Sequence, residues 1–239
     1  MSRTVRIVEV GPRDGLQNEK KSLDQATRLE FAERLAVCGV KKIELGAFVS
    51  SKYVPQMDGS AELIREALKR RDSGKGPLAG VDISALVPNV RGMQDAMAVG
   101  LDHVAIFASA SESFAKKNIN CSIDESFVRF GQVMSIAKAK GVRVRGYLSM
   151  CFGCPFEGDV PEGRVVRLVK QLVNLGVYEV SIGDTIGIAD PAQVRRLGRK
   201  LVDAVGVNRL AMHFHDTRGT ALANVSASLE LGIRVFDSS

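Results

Sequence analysis

Short apolar runs rich in β-branched residues alternate with amphipathic stretches along almost the whole chain. Near-continuous apolar strands of this kind are typical of a parallel sheet that is covered by helices. The strand starts recur about every 33 residues, which is the length of one βα unit. The pattern therefore predicts an α/β protein built from repeated βα units. The predicted strands cover residues 5–10, 41–47, 81–88, 103–110, 143–150, 179–185, 209–216 and 233–239.

Amphipathic segments fill the intervals between the strands, and most of them close on a glycine. Glycine favours the left-handed backbone that follows a helix C-terminus, as at Gly141, Gly176 and Gly206. Eight strands and seven helices in strict alternation predict a TIM (β/α)8 barrel with its last helix missing. An open doubly wound sheet is the alternative. No G-x-G-x-x-G follows the first strand, so the barrel is favoured.

No linker interrupts this pattern, so we expect residues 1–239 to form a single barrel domain. Hydrophobic residues make up 45% of the chain and charged residues 25%, which excludes a disordered or fibrous protein. No apolar run approaches the roughly 18 residues of a membrane span. The net charge of +6 is mild and does not indicate nucleic-acid binding.

Cysteine usage and the N-terminus both point to a reducing compartment. Four cysteines are too sparse for a disulfide scaffold, and no apolar signal-peptide segment opens the chain. We therefore expect a cytoplasmic protein. Cys151 and Cys154 have C-x-x-C spacing without a second pair, so structural or incidental thiols are favoured over a redox or zinc motif.

The seventh predicted strand carries two histidines that are two residues apart. Side chains at such positions point to the same face, so the imidazoles of His213 and His215 form half of a metal site. A carboxylate from another strand end would supply a third ligand, and Asp14 is the leading candidate. This mixed set of nitrogen and oxygen donors suits Mg²⁺ or Mn²⁺. His103, by contrast, is expected to be a hydrogen-bonded core residue.

Other titratable residues stand in or just after predicted strands, where barrel enzymes carry their chemistry. Arg13 directly follows the first strand, where a cation can stabilise a developing enolate, although R-D-G is also an ordinary turn. Glu44 lies within an apolar strand, where burial is costly without a partner; a salt bridge to an arginine is the alternative to a functional role. Asp184 and Arg145 complete this set.

Motifs along the chain resemble the family of 3-hydroxy-3-methylglutaryl-CoA lyases, metal-dependent barrel enzymes related to isopropylmalate and homocitrate synthases. The GPRDGLQNE loop and the HFHDTRGTALAN segment are the most specific, and the former resembles the lyase branch. The resemblance covers essentially the whole sequence, and it also rests on the runs FVSSKYVPQM, KKNINCSIDESF, VRGYLSM, GCPFEG, SIGDTIG and VFDSS.

The resemblance implies cleavage of 3-hydroxy-3-methylglutaryl-CoA, an acyl-CoA, to acetoacetate and acetyl-CoA with a divalent metal cation, Mg²⁺ or Mn²⁺. By position, Asp14, His213 and His215 would be the metal ligands, and the first two are also counted in the catalytic set. The resemblance further implies a homodimer and a role in leucine breakdown.

The remaining roles also come from the resemblance. Arg13 would bind substrate and stabilise the enolate of the departing acetyl-CoA. Glu44 and Asp184 would support the site and its proton transfers. Arg145 corresponds to an arginine of the family's fifth strand and is expected to bind substrate.

Three departures from the family pattern stand out. Phe214 replaces a small residue between the histidines, but its side chain is expected to point away from the site. ELGAFVS around Glu44 lacks the hydroxyls of the family's ETTSFVS-like pattern, which leaves the acyl substrate open. The family's glycine-rich loop after the eighth strand carries a catalytic cysteine, and an asparagine ligand follows it; neither occurs before Ser239. We expect a C-terminally incomplete barrel.

Two further interpretations remain open at this stage. A related acyl-CoA aldolase or Claisen-type synthase would use the same metal and enolate chemistry on another substrate. A catalytically crippled fragment would keep metal binding and show little lyase activity.

Overall fold

Eight parallel strands form a closed barrel in the computed structural model, which describes residues 4–239. The strands follow one another around the barrel in chain order, from β1 to β8. The predicted TIM barrel is thereby confirmed, and the doubly wound alternative was wrong. The strands are β1 Arg6–Glu9, β2 Lys42–Ala47, β3 Asp82–Leu86, β4 His103–Ser109, β5 Arg143–Ser149, β6 Val180–Asp184, β7 Leu210–Phe214 and β8 Val235–Ser238.

The helix count differs from the prediction because the connection between β4 and β5 contains two helices. Ser111 caps the first of them by accepting a hydrogen bond from the Phe114 amide, and Asn120 ends it in the left-handed conformation. The described residues therefore contain eight α-helices, not seven. They are α1 Gln25–Val37, α2 Ser60–Asp72, α3 Val90–Ala98, α4 Glu112–Ile119, α5 Ile123–Lys140, α6 Glu162–Leu175, α7 Pro191–Val205 and α8 Ala221–Glu230.

The chain divides into two compact units, and the first comprises residues 7–105, 135–143 and 238–239. In this unit β1 pairs with β2 at Glu9 and Ile43, and β2 pairs with β3. All six residues of β2 are buried, as expected for a strand between a barrel interior and a helical layer. Helix α2 buries one apolar stripe with helical spacing, formed by Leu63, Ile64, Ala67 and Leu68.

The second unit comprises residues 4–6, 106–134 and 144–237 and carries the pairings of β5 with β6, β6 with β7 and β7 with β8. Gly183 of β6 lies opposite His213 of β7 in this register. The buried stripes of the two long helices have a period close to 3.6 residues, which explains why these segments are helical. The stripes are Val165, Leu168, Val169 and Leu172 in α6, and Val194, Leu197, Gly198 and Leu201 in α7.

Within residues 4–239, we find no helix with the length and apolar character needed to cross a membrane. Glycines end helices as the sequence indicates: Gly176 follows α6 with a φ of 106°, and its amide donates to the carbonyl of an earlier turn.

Candidate active site

A tight π-helical turn, Gly11–Gly15, follows β1 and carries Arg13 and Asp14. The Glu9 carboxylate accepts a hydrogen bond of 2.8 Å from the Gly11 amide. A Cβ at position 11 would lie only 2.7 Å from that carboxylate oxygen, so a side chain there would displace the Glu9 carboxylate. The backbone geometry thus sets where the next two charged side chains emerge.

Arg13 bridges two carboxylates within this unit. Its Nε lies 2.5 Å from Oε1 of Glu44, and one terminal nitrogen lies 2.6 Å from Oδ1 of Asp14. The Glu44 side chain is 1% exposed and that of Asp14 is 21% exposed. The salt bridge proposed as an alternative for Glu44 therefore exists, and its partner is Arg13. Since both residues belong to the predicted catalytic set, the bridge also fixes the direction of the guanidinium.

A bulge in β2 follows Glu44 directly. The register with β3 shifts between Glu44 and Gly46. A Cβ at Gly46 would lie 2.8 Å from Oγ of Ser60, which donates a 2.6 Å hydrogen bond to the Met57 carbonyl. The buried Arg28 donates a hydrogen bond to the carbonyl of Asp58, the residue that follows Met57. The unusual ELGAFVS sequence thus has a packing reason, because Gly46 leaves room for Ser60.

The two histidines of the second unit face each other through their Nε2 atoms. These atoms of His213 and His215 are 3.0 Å apart, so the predicted common orientation is found. Both rings are partly exposed. The side chain of the intervening residue, Phe214, contacts the Phe152 ring, with the ring centroids 6.1 Å apart. The pair presents two ring nitrogens to one point, which is the arrangement that a shared cation requires.

The Nδ1 atom of His213 lies 3.2 Å from Oδ2 of Asp237 in β8. The Asp237 side chain has 0% exposed surface, and it also accepts hydrogen bonds from Arg145 and Ser181. Burial raises the pKa of the Asp237 carboxyl, but Arg145 and His213 outweigh burial and hold this pKa well below its usual range.

The sequence patterns did not single out Asp237. The signal was available, because an aspartate in the apolar run IRVFDSS poses the same burial problem as Glu44.

The Arg145 side chain is buried, and each of its three nitrogens donates a hydrogen bond to another side chain. Its Nε donates to Glu179 at 2.9 Å, and its terminal nitrogens donate to the Tyr147 hydroxyl at 3.0 Å and to Asp237 at 2.7 Å. Glu179 also pairs with Arg6. All three side-chain nitrogens of Arg145 thus bind buried protein oxygens, and its expected contact with substrate stays a prediction.

Asp184 closes the loop between β6 and α7. Its two carboxylate oxygens accept hydrogen bonds from the amides of Ile188 and Ala189, at 2.9 and 3.1 Å. Burial raises the pKa of Asp184. The next loop approaches closely, because a Cβ at Gly187 would lie 2.9 Å from the His215 carbonyl. Asp184 thus fixes a loop that packs against the backbone of a histidine of the pair.

Comparisons with known proteins identify the family of this chain. The sequence pattern of the HMGL-like family matches residues 4–239. The chain belongs to the HMGL-like family. A protein of Pseudomonas aeruginosa described as 3-hydroxy-3-isohexenylglutaryl-CoA/hydroxy-methylglutaryl-CoA lyase is 48% identical over 239 residues, which are 100% of this chain and 77% of that protein.

Two solved structures of HMGL-like proteins show the same fold. The hydroxymethylglutaryl-CoA lyase of Pseudomonas aeruginosa has a TM-score of 0.92 and 48% identity, covering 100% of this chain and 77% of that chain. An HMG-CoA lyase from Acinetobacter baumannii in complex with coenzyme A and 3-methylmalate has a TM-score of 0.90 and 30% identity, covering 100% and 76%.

These relatives confirm the predicted lyase family and the predicted class of enzyme, a carbon–carbon lyase. HMGL-like proteins depend on divalent metal ions in general.

The two cysteines of the CFGC segment are buried and free in this HMGL-like chain. Cys151 donates to the Leu148 carbonyl at 3.0 Å, and Cys154 lies 3.0 Å from the Ser111 hydroxyl. Burial raises the pKa of the Cys151 thiol, so this group is a thiol and not a reactive thiolate. The contacts agree with the structural interpretation of both residues.

Proposed function

We propose that this chain cleaves 3-hydroxy-3-methylglutaryl-CoA to acetoacetate and acetyl-CoA. In this reaction the tertiary hydroxyl loses its proton and becomes the ketone of acetoacetate. The bond between the hydroxyl-bearing carbon and the thioester-side CH₂ breaks, and its electron pair forms the enolate of acetyl-CoA. Protonation of the CH₂ carbon of this enolate gives acetyl-CoA. Atoms and electrons therefore balance without a redox partner.

The metal ligands in this proposal are Asp14, His213 and His215. They offer one carboxylate oxygen and two imidazole nitrogens, donors that Mg²⁺ and Mn²⁺ accept. The observation that carries the proposal is the 3.0 Å approach of the two Nε2 atoms, in a chain of a metal-dependent lyase family. Asp14, His213 and His215 would hold the cation, which would supply Lewis-acid polarisation of the substrate's hydroxyl oxygen.

Arg13 is the electrostatic group of the proposed reaction. Glu44 holds its guanidinium, which then stabilises the negative charge that develops on the thioester oxygen of the enolate. Glu44 and Asp184 are the carboxyl groups assigned to the proton transfers. Burial raises the pKa of Asp184, the direction that favours a carboxyl group able to take up a proton.

An acyl-CoA substrate has independent support. The Acinetobacter baumannii relative was solved with coenzyme A and a small dicarboxylic acid, and the net charge of +6 of this chain suits an anionic ligand.

The direct test supplies 3-hydroxy-3-methylglutaryl-CoA with Mg²⁺ or Mn²⁺ and measures acetoacetate and acetyl-CoA in equal amounts. Removal of the metal with a chelator should stop the reaction, and readdition should restore it. Absence of both products, together with turnover of another acyl-CoA, would show that the chain is a related aldolase or Claisen-type synthase instead.

A second substrate is favoured by one observation. The 48% identical relative is described as acting on 3-hydroxy-3-isohexenylglutaryl-CoA as well. We therefore propose a competition assay between the methyl and isohexenyl substrates, in which kcat/KM decides the preferred acyl group.

The single domain over residues 1–239, the homodimer and the cytoplasmic location stay predictions. Sedimentation of the purified protein tests the dimer, and one cooperative unfolding transition tests the single domain.

A further inference from the structure

We infer that Asp237 is a positioning residue that fixes the tautomer and the orientation of His213. The inference rests on the proposed function in one respect, the assignment of His213 as a metal ligand. It starts from the 3.2 Å contact between Nδ1 of His213 and Oδ2 of Asp237.

The direction of this hydrogen bond follows from the other contacts of Asp237. Arg145 donates to Oδ1 and the Ser181 hydroxyl donates to Oδ2, both at 2.7 Å. A carboxylate next to a guanidinium carries no proton to give, so it accepts only. The hydrogen of the contact with His213 must therefore be on Nδ1 of the imidazole.

In neutral His213, a proton on Nδ1 means that Nε2 is the nitrogen that carries the lone pair. That atom faces Nε2 of His215 at 3.0 Å, on the side of the ring opposite Asp237. A carboxylate that holds the far nitrogen of a metal-binding histidine fixes its ring and makes it a better ligand. Asp237 thus acts on the proposed metal site without touching the metal.

Arg145 extends this arrangement by one step. Glu179 accepts from its Nε and the Tyr147 hydroxyl lies 3.0 Å from a terminal nitrogen, so the guanidinium is fixed on two sides. Its remaining described contact is with Asp237. This chain of buried contacts assigns Arg145 to the positioning of Asp237.

The substitution Asp237→Asn reverses the hydrogen bond. The new amide keeps its oxygen toward Arg145, so its NH₂ group points toward His213 and donates to Nδ1. His213 then carries its proton on Nε2, where the lone pair is needed. ¹⁵N NMR of the metal-free protein, at a pH above about 8 where histidines are neutral, reports this directly. We expect the Nδ1–H tautomer in the wild type and the Nε2–H tautomer in the variant.

The wild-type spectrum alone keeps the inference falsifiable if the variant does not fold. A wild-type His213 with its proton mainly on Nε2 overturns the inference.

Mn²⁺ binding provides the second measurement. We expect Asp237→Asn to weaken Mn²⁺ affinity by about 10- to 100-fold, the usual effect of losing such a partner. Glu179→Gln is the matched control, because Glu179 is the other buried carboxylate that binds Arg145 and its described contacts do not include His213. We expect this variant to keep the His213 tautomer of the wild type. An unaltered tautomer and Mn²⁺ affinity in Asp237→Asn would refute the role of Asp237.

The ligand assignment itself is tested separately by His213→Ala. Loss of Mn²⁺ binding in this variant supports it. Binding equal to that of the wild type overturns the proposed ligand set, while the tautomer measured without metal still decides the positioning role of Asp237.

Discussion

Two histidine–aspartate pairs occur in this barrel, and their geometry is nearly the same. In one, His103 Nδ1 lies 3.1 Å from Asp82; in the other, His213 Nδ1 lies 3.2 Å from Asp237. His103 and Asp82 are the first residues of β4 and β3, whereas His213 lies near the end of β7. Barrel enzymes place their chemistry at the carboxyl ends of the strands, and residues at the opposite end serve stability.

The surroundings of the pairs differ as their positions do. Asp82 also binds Lys42 and Arg143, which both begin strands, so cations surround the first pair. His213 instead faces a second imidazole. The pair alone therefore does not define a function. What decides is the end of the strand on which it lies and the group that its outer nitrogen faces.

The largest effect that this comparison predicts is a difference in metal binding between variants of His213 and of His103. His213→Ala should abolish Mn²⁺ binding and lyase activity because a proposed ligand is lost. His103→Leu should bind Mn²⁺ with the affinity of the wild type. Titration calorimetry with Mn²⁺ measures both. Equal losses in the two variants would show that the pairs do not differ in function.

Two arginines of the first unit, Arg13 and Arg143, sharpen the comparison further. Arg13→Lys keeps the charge but loses the forked contacts with Glu44 and Asp14, so kcat should fall by about 100-fold. Arg143→Lys, at the start of β5, should leave kcat within about twofold, because the side chain is half exposed and pairs with Asp82. A steady-state assay at saturating substrate separates kcat from KM. A larger fall for Arg143→Lys would reverse the comparison.

The sequence predicted the strands well because each is a short apolar run, and it predicted the common orientation of His213 and His215 because alternation in a strand is strict. It missed α4, Glu112–Ile119, because a helix of eight residues is too short to stand out beside the long α5 that follows it. The contacts of Arg145 were also beyond it. Tyr147 lies two residues along the same strand, but Glu179 and Asp237 are 34 and 92 residues away, and the fold, not sequence spacing, brings them to Arg145.

Stability is where the first pair should matter. Replacing His103 by leucine leaves Asp82 without one of its buried partners, which costs about 1–3 kcal/mol. Urea unfolding at pH 7 measures this change in the free energy of unfolding. The kcat of the folded variant should equal that of the wild type, since His103 has no place in the proposed reaction. An unchanged midpoint would contradict the structural role of His103.

The smallest predicted effect is the pH dependence of that stability difference. Burial lowers the pKa of His103 below its ordinary 6.5, and the hydrogen bond with Asp82 opposes this only in part. As the pH falls below 6.5, the unfolded chain therefore takes up a proton that the folded chain does not, and the wild type loses stability. His103→Leu has no imidazole at this position and lacks that loss. The stability advantage of the wild type should thus shrink between pH 7 and pH 5, by less than about 1.4 kcal/mol per pH unit. Both proteins contain His213 and His215, so the effects of these residues cancel in the difference between the two free energies of unfolding. If this difference instead increased as the pH fell, His103 would be charged in the folded protein.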